Sequence, residues 1–329
     1  MTKVTMKAMV AIGYGNADVL QLQEVKRPEP NANEILVKVV TSAATTADTM
    51  MLSGKPYFGR LFIGLTKPNK PIPGTGFAGV VEAVGNEVKQ YKIGDKVFGE
   101  TAFGFSANAD YIKIAENGVV LPMPENMDFA EAANFCDGHL TSFNFLKKIA
   151  NVQAGQKVLI IGASGALGTS AVQLAKYLGA SVSAVCSGRN AGLVKSLGAD
   201  KIIDYTKENY TQSKEQYDFV YDTVRKSSFN KCKPILKENG VYLSPVLKFQ
   251  LLFQMIKTAI FGGKKAQFAA TGANPEDTLR GWLSEVVDIF KEGKLKMVID
   301  RQYPLEKLDE AHRYIATGRK KGNIVIKHI

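Results

Sequence analysis

Cysteine is scarce in this chain. Its three residues, Cys136, Cys186 and Cys232, are an odd number and never form a Cys-x-x-Cys pair. That excludes a disulfide framework and a zinc knuckle, and it points to a reducing compartment. Long hydrophobic runs are missing too, since nothing approaches the roughly eighteen apolar residues of a membrane span. The opening MTKVTMKAMVAIGYGNADVL has no sustained apolar core followed by a cleavage site, so no secretory leader is expected and the cytoplasm is the expected location. Charge of one sign never clusters: 42 Lys and Arg stand against 31 Asp and Glu, a formal net charge of +11, with no long block of like charges. Without such a block, and without a basic-aromatic module, nucleic acid is excluded as the main partner. The positive excess reads as solubility plus local anion sites.

What is present suits two domains. Over 329 residues, 45% hydrophobic, one core is unlikely to suffice and two domains are the natural division. The first third carries short β-branched segments (KAMVAI, LQLQEV, EILVKVV, GVVEAVG, DKVFGE, ADYIKIA) between Gly, Asn and Asp clusters. That spacing predicts a partly open antiparallel barrel. PENMDFAEAANF is a helix start with Asp128 as its cap. From Lys157 onward, near-continuous apolar strands alternate with amphipathic helices, the pattern of a parallel sheet covered on both faces. The final GNIVIK resembles the early strands, so the first domain is expected to be discontinuous: residues 1–123 and 273–329, with 124–272 as the second domain.

VLIIGASGALGTSAVQLAKYLGA carries the strongest chemical signal. Gly162, Gly165 and Gly168 lie between an apolar strand and an Ala-rich helix, where a dinucleotide fingerprint belongs. The first glycine allows the turn, the second admits a pyrophosphate, and the third lets helix pack on strand. Ser164 lies in the turn, and the amides of Ala166 and Leu167 would face the phosphates. The next strand, VSAVC, should end at the adenosine ribose. An acid is usual there, yet the sequence reads Ser187, Gly188, Arg189, Asn190. Donors and a planar cation suit a 2′-phosphate, so NADPH is the expected cofactor, with Tyr205 and Lys207 as further contacts from DYTKEN.

VLKFQLLFQMIKTAIFGGKK places Phe249, Leu252, Phe253, Ile256 and Ile260 on one stripe at helical spacing, with Gln250, Gln254 and Lys257 on another face. Three roles are open for residues 246–262: a wall over a substrate cleft, a core or dimer element, or a weak membrane-surface contact.

Taken together, these segments resemble the medium-chain dehydrogenase/reductase superfamily in its zinc-free, quinone-oxidoreductase-like branch. The likeness runs nearly end to end, through MKAMVAIGYGNADVLQLQEVKRPEP, PIPGTGFAGVVEAVGNEVKQYKIGDKVFGE, the glycine turn, SLGADKIIDYTKENY and VIDRQYPLEKLDEAHRYIATGRKKGNIVI. It implies a GroES-like, partly open β-barrel catalytic domain and a Rossmann doubly wound parallel-sheet domain, with the active site in the cleft between them. It also implies a homodimer paired through sheet edges, for which KKAQFAATG is the candidate edge strand. Zinc-dependent relatives place Cys and Gly-His-Glu where this chain has Thr45 and Gly74-Thr75-Gly76, and the four-cysteine lobe of structural zinc is absent; no metal is expected. Without a Lewis acid, hydride transfer to a quinone or an α,β-unsaturated carbonyl is the favoured chemistry. The resemblance offers Thr45, Tyr57 and His139 as catalytic candidates and Thr141 as a nicotinamide contact, while His312 and His328 read as structural. Two other functions stay open: an NADPH-binding sensor or scaffold of the crystallin-like kind, and a zinc-free alcohol or enoyl reductase.

Overall fold

In the computed structural model, which describes residues 4–55 and 57–328, the chain divides into two compact units. One comprises residues 1–137, 275–287 and 297–329; the other comprises 138–274 and 288–296. The early strands are β1 (Thr5–Ala11), β2 (Leu20–Lys26), β3 (Glu34–Ala44), β4 (Gly76–Val84), β5 (Lys96–Glu100), β6 (Tyr111–Ala115) and β7 (Val120–Pro122). The middle of the chain adds β8 (Lys157–Ile161), β9 (Ser181–Cys186), β10 (Lys201–Asp204), β11 (Tyr217–Asp222), β12 (Leu236–Ser244) and β13 (Lys265–Phe268). Strands β14 (Ile299–Pro304) and β15 (Asn323–Lys327) close it.

The first unit is the GroES-like half. Its main sheet runs β14-β15-β3-β4-β5-β7, with β6 also on β3, and β1 pairs with β2. Along β3, Ile35, Val37 and Val39 turn inward against Phe77, Val81, Val97, Ile112 and Val120, while Leu36 and the run Thr41–Ala44 are buried as well, so this central strand is covered on both faces over much of its length. The C-terminal strand returns to this unit: β15 lies antiparallel to β3, with Ile324 opposite Ala44. The first unit also reaches further along the chain than residue 123. The helix Phe129–Ala133 packs on β3, β4 and β5, and a side chain at Gly76 would put a Cβ 2.4 Å from the Ala133 carbonyl oxygen. That close approach ties the helix to the sheet, so the chain crosses to the second unit at Asp137–Gly138.

The second unit is Rossmann-like. Its parallel sheet has the order β10-β9-β8-β11-β12-β13, in which two winding directions meet between β8 and β11, the place where such sheets open to bind ligands. Continuous burial of Val158 to Ile161 and of Val182 to Cys186 explains their near-unbroken apolar sequence. Strand β13 lies at the sheet edge beside β12, where KKAQFAATG was expected.

The apolar helix Phe249–Phe261 turns its stripe outward. Leu251 and Thr258 are its buried residues, and Met255 packs against the unit's core. The stripe of Leu252, Phe253, Ile256 and Ile260 is exposed. Within its own unit it is therefore not a core face: helical spacing defines a stripe, while the anchoring of Leu251, Met255 and Thr258 decides which way it turns.

Candidate functional site

The turn after β8 is built by three glycines doing three different things. Gly162 has φ +81°, in the left-handed region, and a Cβ there would sit 2.5 Å from a Val224 methyl. Gly168 lies in the first turn of the helix Ala166–Tyr177, and a Cβ there would lie 2.1 Å from the Gly162 carbonyl oxygen. Both are glycine because the protein itself fills the space. Gly165 differs. Its backbone is extended (φ −83°, ψ 179°), and a Cβ would meet nothing nearer than the Gly162 oxygen at 3.5 Å. Packing does not demand glycine there, whereas an approaching pyrophosphate does. No side chain caps this helix, so its first amides are left for an external acceptor, with the helix dipole behind them. The turn therefore fits a dinucleotide.

The adjoining sheet edge shapes the ribose end. In parallel register, Asp204 at the end of β10 lies beside Cys186 at the end of β9, which brings Ser187–Asn190 next to Tyr205–Lys207. Arg189, Tyr205 and Lys207 are exposed, Ser187 is half-buried, and Asn190 is buried. The Asn190 amide donates to Ser164 Oγ at 2.9 Å, so Asn190 turns inward and fixes the loop against the glycine turn instead of pointing outward. An acid does stand at this edge, contributed by the neighbouring strand. Asp204 accepts from the Thr206 hydroxyl at 2.7 Å and the Thr206 amide at 3.0 Å. These bonds, with the Gly188 amide and the Lys207 charge, hold its carboxyl below the usual range. Its acceptor capacity goes to protein donors, and two cations, Arg189 and Lys207, outnumber it.

Thr141 opens a short helical turn, Thr141–Phe143. The next residue, Ser142, donates to the Leu167 carbonyl at 3.1 Å, which fastens this turn to the start of the glycine-turn helix. The surrounding helix contains two π-helical segments, Cys136–Leu140 and Asn144–Ile149, a widening common at functional sites.

The catalytic candidates have different fates. His139 is fully buried, its Nδ1 hydrogen-bonded to Ser170 Oγ, and burial drives its pKa down to about 3. That environment keeps its imidazole uncharged near neutral pH. Thr45 is also buried. It caps the helix Thr46–Ser53 in a reciprocal box, its Oγ accepting from the Asp48 amide at 3.0 Å and donating to Asp48 Oδ2 at 2.8 Å. Its hydroxyl proton is thus already engaged. Tyr57 is accessible, 67% exposed, with the Arg60 guanidinium 4.9 Å from its ring centre.

One group of residues was not anticipated. Asp48 is buried and its carboxyl is pushed up to about 7, by desolvation first and further by Asp137, against the pull of the Thr45 hydrogen bonds. Glu100 is raised to about 7 by desolvation, Asp137 and Asp48. Desolvation also raises Asp137, opposed by Lys320. Glu100 lies opposite Gly76 in the β4–β5 ladder. The three acids therefore gather beside Thr45 and the Gly76 end of β4. The capping box was the only legible trace of this group, since its acids come from three distant segments. Among the described residues no set of three His, Cys, Asp or Glu side chains is arranged to hold a metal ion. Threonine and glycine supply none of the usual zinc donors, so the residues present do not fit zinc.

Comparison with known proteins places this architecture. Residues 31–125 match the family described as alcohol dehydrogenase GroES-like domain, and residues 197–326 match zinc-binding dehydrogenase. A 2-methylene-furan-3-one reductase of Solanum lycopersicum is 34% identical, covering 98% of this chain and 79% of its own. An NADPH-dependent alkenal/one oxidoreductase of Arabidopsis thaliana is 32% identical with the same coverage. The solved quinone oxidoreductase of Coxiella burnetii superposes with a TM-score of 0.87 at 28% identity, covering 98% of this chain and 99% of that one. With both halves matched and the nucleotide turn in place, the chain belongs to the medium-chain dehydrogenase/reductase superfamily, in its quinone-oxidoreductase-like branch, and is an oxidoreductase that uses a nicotinamide cofactor.

Proposed function

We propose that this protein is an NADPH-dependent reductase that delivers hydride to a quinone or to the β-carbon of an α,β-unsaturated carbonyl. The observation that carries the reading is Gly165, whose missing side chain serves no packing need and leaves room for a pyrophosphate. The names of the relatives, alkenal/one and quinone oxidoreductases among them, support the acceptor class.

The bound nicotinamide would supply the hydride. The protein's own residues do the rest. Amides of Ala166 and Leu167 hold the diphosphate. Ser187, Arg189, Tyr205 and Lys207 form the receiving edge for a 2′-phosphate, with Arg189 offering the planar fork that phosphate oxygens accept best. Tyr57 is the candidate to protonate the acceptor, because its phenol reaches solvent while His139 and Thr45 are enclosed. Hydride plus this proton balances a two-electron reduction.

Steady-state NADPH oxidation with a panel of small quinones and enones tests the proposal. Turnover with at least one acceptor class is the expected result. Tight NADPH binding with no turnover across the panel would make the protein a cofactor binder instead.

A further inference from the structure

The outward stripe of the helix Phe249–Phe261 is unusual for its chemistry as well as its exposure. Leu252 is 41% exposed, Phe253 64%, Ile256 55%, Ile260 70% and Phe261 77%. With Phe249, 79% exposed, six large apolar side chains on one short helix make a patch of the kind that marks an interaction site. At about 20 Å long, the helix is far too short to cross a bilayer, and among the described residues no helix is long and apolar enough to do so.

Charge along the helix and its flanking segments has one sign. No Asp or Glu occurs from Gly240 to Pro275, while Lys248, Lys257, Lys264 and Lys265 do. At helical spacing Lys257 falls on the flank of the stripe, and Lys264 and Lys265 follow its C-terminal end. A groove of about 770 Å³ on that flank is lined by Lys233, Lys257 and Lys264, with Glu238 its single acid. A second copy of this chain is a poor occupant. A two-fold interface sets a patch against itself, and here it would bring lysines to lysines with almost no acid to receive them. An anionic bilayer surface matches both features, apolar side chains for the acyl boundary and ammonium groups for the headgroups.

We propose that this helix is an interfacial membrane anchor, lying in the plane of an anionic lipid surface with Phe253, Ile256 and Ile260 inserted and the exposed Lys257 and Lys265 at headgroup level, while Lys264 is tied to the Lys233 carbonyl. Flotation of the full chain with phosphatidylcholine vesicles, and with vesicles containing about one-third phosphatidylserine, tests it. Expected is partition to the anionic vesicles at low salt, lost at about 0.5 M salt where screening is within a few ångströms. Phe253→Ser/Ile256→Ser/Ile260→Ser should abolish partition, and Lys257→Glu/Lys265→Glu should weaken it by at least roughly fivefold per residue. Both variants alter exposed side chains and should keep the wild-type melting temperature, which checks folding. Absence of partition by the wild-type chain overturns the proposal. So does a serine variant that still binds vesicles, and one whose only change is a halved solution mass would show that a second copy covers the stripe.

Discussion

An exposed guanidinium lies three residues past the end of β9 and an exposed ammonium three past the end of β10, on neighbouring strands of one sheet edge. Asp204 stands between them, but its oxygens are taken by Thr206 and the Gly188 amide. A phosphate arriving there meets a net positive edge and free donors, whereas a bare ribose gains little from either cation. Replacing Arg189 with Ala should raise the KM for NADPH by roughly ten- to a hundredfold, the worth of a hydrogen bond to a charged group, and leave the KM for NADH nearly unchanged. Equal changes in both would reduce the loop to a turn. The proton donor separates differently. Tyr57→Phe keeps the ring that meets Arg60 and removes only the hydroxyl. It should lower kcat on the order of a hundredfold with cofactor binding intact, and an unchanged kcat would clear Tyr57 of the role.

At the scale of elements, the glycine turn makes a prediction that splits stability from binding. Gly168→Ala must push the helix off the turn, because backbone and not a flexible side chain occupies the space. A loss of about 1–3 kcal/mol is expected from such overpacking. Gly165→Ala should melt like the wild type and yet bind the dinucleotide on the order of tenfold more weakly, as calorimetry on both variants would show; a stable, tightly binding Gly165→Ala would remove the argument for the pyrophosphate. The same elements show how far the chain could be read. The parallel sheet was legible because strands buried on both faces need unbroken apolar runs, and the glycines because their spacing follows the turn. The opened face of the helix Phe249–Phe261 was not, since a stripe has no intrinsic direction until Leu251 and Met255 are seated. Asp204 was not legible as the edge acid because strand β9 ends without one, and only sheet register brings in an acid from the next strand. Asp48, Glu100 and Asp137 meet only after β3, β4 and β5 have folded, and no spacing records that.

Across the whole molecule, two sets of buried groups pull stability in opposite directions with pH. His139, His312 and His328 are enclosed, with pKa values driven to about 3, 4 and 4 by desolvation. Each is held by a hydroxyl. His312 Nδ1 meets Thr49 Oγ and His328 Nε2 meets Ser42 Oγ, both at 2.8 Å, and since Ser42 donates onward to Asn108, it is His328 that donates to Ser42. Unfolded histidines take up protons below about 6.5 that the folded ones refuse, so their contribution is present above that pH and lost as pH falls toward 4. Asp48 and Glu100 act the other way. Folded, they keep protons up to about 7; unfolded, they release them near 4, so their contribution is lost as pH rises through 7. Between about pH 4.5 and 6.5 the two slopes oppose each other and wild-type stability should change only gently. Asp48→Asn removes one opposing group, and because the Asp48 charge helps to raise Glu100 it also lets Glu100 titrate lower, a change of the same sign. The difference in unfolding free energy, variant minus wild type, should therefore climb by about 1.4 kcal/mol per pH unit between roughly pH 4.5 and 6.5 and level off above about 7. Urea melts of both proteins across that range measure it directly. Parallel curves would mean that Asp48 is ionised in the folded protein as it is in the unfolded chain.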